Sequence, residues 1–300
     1  MERKYFILLS VVLLAFLGSC SIYNPSEPIP SYIHIENIGV LVADQSVQGT
    51  TSSKISDAWI YIDEQLIGCF EMPCTVPVLW DGTHTLKIRP GIKVNGIAAT
   101  RAPYPFYDNY TQVITLHRGT TTNITGATVK YLNNITFRWL ENFDGNTVTL
   151  DTNSHLSESG LIFLHNPPAN TNIFEGAGSA VAYLKSPQSI FECFSHNRMP
   201  MTNLDAFLEL NYKCNHEFTV KLAGYTVSGT IETNYIPPIE VLTLNASANW
   251  NKAYLYLSPT IKQLIASGAQ PTEFRVFFDM YNFSGTDSVG MAIDNIKVIQ

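Results

Sequence analysis

Two stretches decide the fold: Asn134-Ile135-Thr136-Phe137-Arg138-Trp139-Leu140-Glu141-Asn142-Phe143-Asp144 and Ala292-Ile293-Asp294-Asn295-Ile296-Lys297-Val298-Ile299. Both are rich in β-branched and aromatic residues, and neither places its apolar positions at a helical period, so both read as strands. Between them similar short runs recur at residues 148–150, 160–165, 180–184, 204–212, 218–222, 239–244, 253–257, 274–281 and 291–299. Short strands at this spacing predict a β-sandwich. One helix is expected near residues 258–267, where Ile261, Leu264 and Ile265 fall on one face.

The first half follows the same rule with different punctuation. Residues 35–42 and Ala58-Trp59-Ile60-Tyr61-Ile62-Asp63 are strand-like, and Leu66-Ile67-Gly68 reads as a hairpin return. Asp81-Gly82 is a tight-turn dipeptide between residues 75–79 and the alternating run 83–89, with further strands at 111–116 and 121–124. The chain is therefore expected to be all-β, with two β-sandwich domains over residues 34–127 and 128–300. A proline-bearing aromatic loop carries Tyr104, Phe106, Tyr107 and Tyr110. These rings suit either an interaction surface or a cap on the sandwich core.

The N-terminus reads as an export and anchoring signal. Met1-Glu2-Arg3-Lys4 precedes an apolar run over residues 5–17. That run is shorter than the about 20 residues a spanning helix needs, and it suits a signal-peptide core. Leu17-Gly18-Ser19-Cys20 resembles the bacterial lipobox, which implies a signal peptide over 1–19 and lipidation of Cys20. Two or more acyl chains make such anchoring stable. An ordinary secretory signal is the alternative. Residues 20–33, with Pro25, Pro28 and Pro30, read as an extended stalk. Ser21 stands where inner-membrane retention in similar proteins uses Asp, so the resemblance implies an outer-membrane lipoprotein, its leaflet left open.

Composition narrows the partners. The 300-residue chain has a formal charge of −7, which becomes −8 without residues 1–19 and their Glu2, Arg3 and Lys4. Nucleic acid is excluded on that ground, because phosphate contact needs a basic face. After Cys20 the cysteines are Cys69, Cys74, Cys193 and Cys214. An even number in an exported chain favours disulfides, with neighbours pairing as Cys69–Cys74 and Cys193–Cys214, although four cysteines allow three pairings. Metal binding and free thiols are the alternatives, and the first pair lacks the Cys-x-x-Cys spacing of a zinc site.

Asp57-Ala58-Trp59-Ile60-Tyr61-Ile62-Asp63, Ile67-Gly68, Pro73 and Leu79-Trp80-Asp81-Gly82-Thr83-His84-Thr85-Leu86-Lys87-Ile88 resemble the PEGA domain, a small β-sandwich of bacterial envelope proteins. The Pro-Glu that precedes the glycine in that family is missing before Gly82. The resemblance implies a structural or interaction module. In the second half, the terminal Asp-Asn-Ile strand and the early aromatic-Glu-x-Phe-Asp segment resemble the jelly-roll domains of carbohydrate-binding modules. Such domains often hold a structural calcium. The resemblance would place it at Asp294 with Glu141 or Asp144, whose carboxylates are of the type calcium takes; the alternative is that Asp294 binds neighbouring backbone. Sugar binding in this fold implies exposed aromatics, for which Trp139, Tyr183, Tyr212, Tyr235, Trp250, Tyr254 and Tyr281 are available. Asn249 and Trp250, followed by Tyr254, form the expected ligand-binding stretch, with Trp250 exposed or else buried at a strand start.

Catalytic motifs are missing. Gly176-Ala177-Gly178-Ser179-Ala180 lacks the Gly-x-Ser-x-Gly frame, and no His-Glu-x-x-His occurs. Glu141, Asp144 and Glu158 remain as carboxylates for a glycosidase, whose mechanism needs two of them about 5–9 Å apart. The sequence thus favours a non-catalytic envelope lipoprotein without a cofactor, acting on another envelope protein or on a glycan. Carbohydrate binding is the first alternative and a glycosidase the second.

Overall fold

In the computed structural model the described residues are 27–166, 172–202, 204–228, 231–283, 285 and 288–300. Cys20, the signal segment and the start of the stalk lie outside them.

The first half contains β1 (Ser31–Ile35), β2 (Gly39–Leu41), a one-turn α1 (Gln45–Gln48), β3 (Asp57–Ile62), β4 (Gln65–Glu71) and β5 (Cys74–Val78). It continues through β6 (Gly82–Lys93), β7 (Arg101–Pro103), β8 (Tyr110–Leu116), β9 (Thr121–Ile124) and β10 (Thr128–Lys130). Strands β4-β3-β6-β7 form one sheet, with β8 also pairing β6; β5-β1-β9 and the pair β10-β2 supply the opposing layer. Alternation explains the layering, since Ile33 and Ile35 from β1 and Ile60, Ile62, Leu86 and Ile88 from β3 and β6 bury into one core. The β3–β4 hairpin turns on Asp63 and Glu64, both with positive φ, the geometry of a type I′ turn. His84 holds that turn. Its Nδ1 lies 2.7 Å from Asp63 Oδ2, while Asp63 Oδ1 accepts from the Thr85 amide at 2.9 Å.

The second half contains β11 (Phe137–Glu141), β12 (Leu150–Thr152), β13 (Ile162–His165), β14 (Gly178–Lys185), β15 (Ile190–Ser195), β16 (Met199–Pro200) and β17 (Phe207–Cys214). After these come β18 (Phe218–Ser228), β19 (Ile231–Leu244), β20 (Ser247–Tyr256), α2 (Ser258–Ala266), β21 (Glu273–Tyr281) and β22 (Ser288–Ile299). Two sheets face each other: β13-β14-β22-β17-β20, joined by β11, and β12-β15-β21-β18-β19, joined by β16. We call them the seam sheet and the open sheet. Leu208, Leu210, Ile296 and Val298 of the first pack on Phe191, Val220, Leu222 and Phe278 of the second. Pro237 and Pro238 sit inside β19 because it is an edge strand, and the register slips there between Leu222 and Gly224. The fold is all-β with two sandwiches, and the expected helix occurs as α2.

The halves share a core. Phe207, Tyr254 and Ile299 of the seam sheet bury among the apolar residues of the first sandwich. Beside them is a buried ionic cluster. Glu209 Oε1 accepts from Tyr104 Oη at 2.7 Å and from Tyr131 Oη at 3.1 Å. Lys252 Nζ lies 3.1 Å from Glu209 Oε2, close enough for an ion pair but outside hydrogen-bond alignment. Lys297 Nζ donates to the Thr50 carbonyl at 2.7 Å and to Tyr131 Oη at 3.2 Å. Burial works to raise the Glu209 carboxyl, but Lys252, Lys297 and Tyr104 outweigh it and hold it below its ordinary value. Burial brings Lys297 down to about 8. The aromatic loop belongs here: Tyr104, Phe106 and Tyr107 are buried in the shared core and Tyr110 is half-buried.

Three expectations change. The stalk to residue 33 runs into β1, which starts at Ser31. The first sandwich passes residue 127, since β10 pairs with β2 and Tyr131 bridges to Tyr107. The expected disulfides are not formed: Cys69, Cys74, Cys193 and Cys214 are free thiols. The reason lies in the topology. The chain changes sheet between β4 and β5, which separates Cys69 from Cys74, and Cys193 and Cys214 sit on β15 and β17 of opposing sheets. Burial raises all four thiols.

Candidate functional site

The expected ligand-binding stretch does not form one surface. Lys252 and Tyr254 alternate along β20 on the side that meets the first half. Tyr254 is only 2% exposed, its hydroxyl accepting from the Lys54 amide at 2.9 Å. Trp250 is half-buried, edge-on to Phe174 at 5.7 Å between centroids, and Asn249 is exposed. Trp139 and Tyr212 belong to the sandwich core.

The acidic candidates bind backbone. Glu141 Oε1 accepts from the Phe143 amide at 2.8 Å, and its Oε2 accepts from the Thr149 amide at 2.6 Å. Asp144 Oδ1 accepts from the amides of Ala177 and Gly178, pinning the loop ahead of β14. Asp294, fully buried, accepts from Asn295 at 2.7 Å, Phe174 at 3.3 Å and Glu175 at 3.4 Å. Burial raises its carboxyl to about 7, against the pull of those amides. Calcium takes 6–8 oxygens, whereas each of these carboxylates accepts from backbone N–H groups. Among the described residues no group of three or more His, Cys, Asp or Glu could hold a metal. Glu158 accepts from the Ser189 amide at 2.8 Å and serves the β14–β15 turn.

What the structure does assemble is the outer face of the open sheet. Along β21 the inward residues Phe274, Val276, Phe278 and Met280 fill the core, so Arg275, Phe277, Asp279 and Tyr281 point out. Register extends each into a row: Phe277 lies beside Phe194 and Lys221, Asp279 beside Glu192 and Thr219, and Arg275 beside Ala223. Tyr225 and Tyr235 are partners at one end.

The face has an aromatic end and a polar end. At the aromatic end the Phe194 and Phe277 centroids are 5.2 Å apart, and those of Tyr225 and Tyr235 are 5.3 Å apart. Guanidinium groups lie over these rings, Arg198 at 4.3 Å from the Tyr225 centroid and Arg275 at 5.1 Å from that of Phe194. At the polar end Lys221 Nζ is paired with Asp279 and donates to Tyr281 Oη at 3.2 Å. Tyr281 Oη donates to Asp279 Oδ2 at 3.0 Å, and Asn153 Nδ2 donates to Glu192 Oε1 at 2.6 Å. Asp279 Oδ1 is buried with no donor. Burial raises the Glu192 carboxyl, the Asn153 bond opposes that, and Asp279 adds to the rise. Beyond Tyr281 the ring of Phe283 stacks at 5.2 Å and is 77% exposed.

A second concavity, about 390 Å³, opens on the seam sheet beyond the first half's cover, with Tyr183, Asn172 and Lys213 among its walls. Asn172 links the other two, donating to Tyr183 Oη at 3.0 Å and accepting from Lys213 Nζ at 3.2 Å. Gly290 is required there, because a Cβ would sit 2.7 Å from the Tyr183 ring.

The sequence reading named Tyr235 and Tyr281 but missed Phe194, Lys221, Tyr225, Arg275, Phe277 and Asp279. The period-2 pattern of residues 274–281 carried the signal, because its outward set is aromatic and charged together.

No family model matches the chain, so the PEGA resemblance rests on the quoted residues alone, and no curated protein matches it. Solved structures do resemble about half of the chain. The C-terminal family 22 carbohydrate-binding module of Clostridium thermocellum Xyn10B is 12% identical, with a TM-score of 0.34 over 54% of this chain and 92% of that one. A family 29 carbohydrate-binding module from Piromyces equi is 13% identical, with a TM-score of 0.32 over 55% and 91%. A family 61 module solved with β-1,4-galactotriose is 8% identical, with a TM-score of 0.30 over 50% and 85%. At these values the likeness assigns no function.

Proposed function

We propose that this chain is a non-catalytic glycan-binding protein of a bacterial envelope, held at the outer membrane through Cys20, with the outer face of the open sheet as its binding surface. One observation carries the reading. Of the two outer faces of the second sandwich, the seam sheet's is largely covered by the first half, while the open sheet's carries the half-exposed rings of Phe194 and Tyr281 and the exposed rings of Tyr235 and Phe283 above a buried floor of Tyr225, Phe277, Glu192 and Asp279. A sugar ring offers an apolar face to aromatics and hydroxyls to its surroundings, so Phe194, Tyr281 and Phe283 supply stacking area while Asn153 and the Tyr281 hydroxyl address hydroxyls. The first half then acts as a rigid mount between anchor and binding face.

Affinity electrophoresis of the purified protein through gels containing soluble plant, algal and bacterial polysaccharides tests this directly. Retardation by at least one glycan, lost in Tyr281→Ala and Phe283→Ala variants of native melting temperature, is the expected result. Free migration of the wild type through every gel would overturn it. Absence of radiolabelled palmitate on the wild-type chain would separately remove the anchor.

A further inference from the structure

The chain enters the first sandwich at a corner where three segments meet. β1 pairs with β5 from Ser31 beside Val78, so the residues ahead of β1 lie against the loop that follows β5. The Ser31 hydroxyl donates to the Trp80 carbonyl of that loop at 2.7 Å. The β8–β9 turn closes the corner from the other side. Its Gly119 amide donates to the Pro30 carbonyl at 2.8 Å, and Ile29 Cγ2 lies 3.7 Å from where a Cβ on Gly119 would sit. Arg118 of the same turn places Nε 3.7 Å from Asp81 Oδ2.

This corner carries apolar side chains that the core does not use. Alternation turns Val76 and Val78 inwards and leaves Leu79 outside. Leu79 is 66% exposed and Ile29 63%. The Trp80 ring is half-buried, packed partly on the sandwich core, and Arg118 is exposed beside it. A bilayer surface suits that combination. Aliphatic side chains reach the acyl boundary, an indole ring sits at headgroup level, and a guanidinium on a long apolar stem meets lipid phosphate.

The length of chain ahead of the corner selects the occupant. Nine residues lead from Cys20 to Ile29, a reach of at most about 30 Å. A sandwich of about 100 residues has a radius of gyration of about 13 Å, so the tether is no longer than the domain is wide. Held this close, the corner meets the leaflet at an effective concentration in the millimolar range. A contact too weak to recruit a free protein is then enough to orient a tethered one.

We infer that this corner rests on the phospholipid leaflet that holds Cys20, with Ile29 and Leu79 at the acyl boundary, Trp80 among the headgroups and Arg118 against phosphate. The inference rests on the anchoring part of the proposed function and adds which end of the molecule faces the lipid.

Tryptophan quenching by lipids brominated near the headgroup end of their acyl chains tests it. The lipidated protein is purified from membranes and reconstituted into vesicles of phosphatidylethanolamine and phosphatidylglycerol. The expected result is quenching that disappears in Trp80→Phe, with Trp59, Trp139 and Trp250 still present, and in the double variant Ile29→Glu with Leu79→Glu. Both altered residues of the double variant lie outside the core, so its melting temperature should stay native. A palmitate-labelled wild type without quenching would overturn the inference while the anchor stands. Quenching that persists in the double variant would remove this corner as its cause. A wild type that escapes quenching but cross-links as a dimer, with the cross-link lost in the double variant, would assign the corner to a second copy instead. An unlabelled wild-type chain would take down the anchor and the inference with it.

Discussion

Glu209→Ala is the sharpest test of how the two halves are joined. Glu209 is fully buried, and Lys252 and Lys297 beside it have side chains that are buried too. Removing the carboxylate leaves two buried ammonium groups without their counter-charge and takes the acceptor from the Tyr104 and Tyr131 hydroxyls. Breaking a buried ion pair from one side costs about 3–5 kcal/mol. The expected loss is about 4 kcal/mol, or about 8–16 °C of melting temperature for a chain of this size. Urea unfolding followed by tryptophan fluorescence measures it. A triple change, Glu209→Leu with Lys252→Leu and Lys297→Leu, removes all three charges and should recover most of the loss, because apolar replacement of a buried ionic cluster is often neutral. An Ala variant within about 1 kcal/mol of wild type, or a triple variant as unstable as the sum of its singles, would refute the argument that this cluster bonds the halves.

Asp294, raised to about 7 from 3.8 by burial, binds its proton more tightly folded than unfolded. Its contribution to stability is therefore full below pH 4 and lost as pH rises towards 7, by at most about 4 kcal/mol. Chemical denaturation of wild type and Asp294→Asn between pH 4 and 8 should show the Asn variant gaining relative stability with pH, and a flat difference would contradict this. Gly178→Ala should destabilise by several kcal/mol or block folding, since a Cβ there would overlap the Phe143 carbonyl oxygen; thermal melting checks it. Thiol titration should find Cys69 and Cys74 slowly reactive in the native protein, while Cys193 and Cys214 react only after denaturation, given their burial. An unreactive denatured protein would restore the disulfides.

Much of the fold was legible because alternation survives in it. Residues 83–89 and 274–281 declare their inward and outward sets directly, and residues 258–267 declare a helix. β15 was missed, because Ile190-Phe191-Glu192-Cys193-Phe194-Ser195 mixes a charge and a thiol into a short run whose outward members belong to the binding face. Alternation also says which side a residue takes and nothing about what covers that side. Glu209, Lys252 and Lys297 lie on the polar set of their strands, which in isolation reads as solvent, yet another sandwich sits on top of them. Tyr254 fails for the same reason. The disulfide expectation failed because nearness in sequence does not survive a chain that changes sheets between its cysteines.

The pairing of β1 with β9 is parallel, from Tyr32 beside Thr121 to Ile35 beside Ile124, and β2 repeats the arrangement with β10. Under the proposed anchoring and glycan binding, tension between the N-terminus and the open sheet enters β1 at its leading end and leaves β9 at its trailing end. Two parallel strands drawn from opposite ends slide along one another, so their hydrogen bonds share the load at once instead of opening one after another. If the chain is tethered as proposed, the strand pair nearest its N-terminus is where it resists detachment by flow.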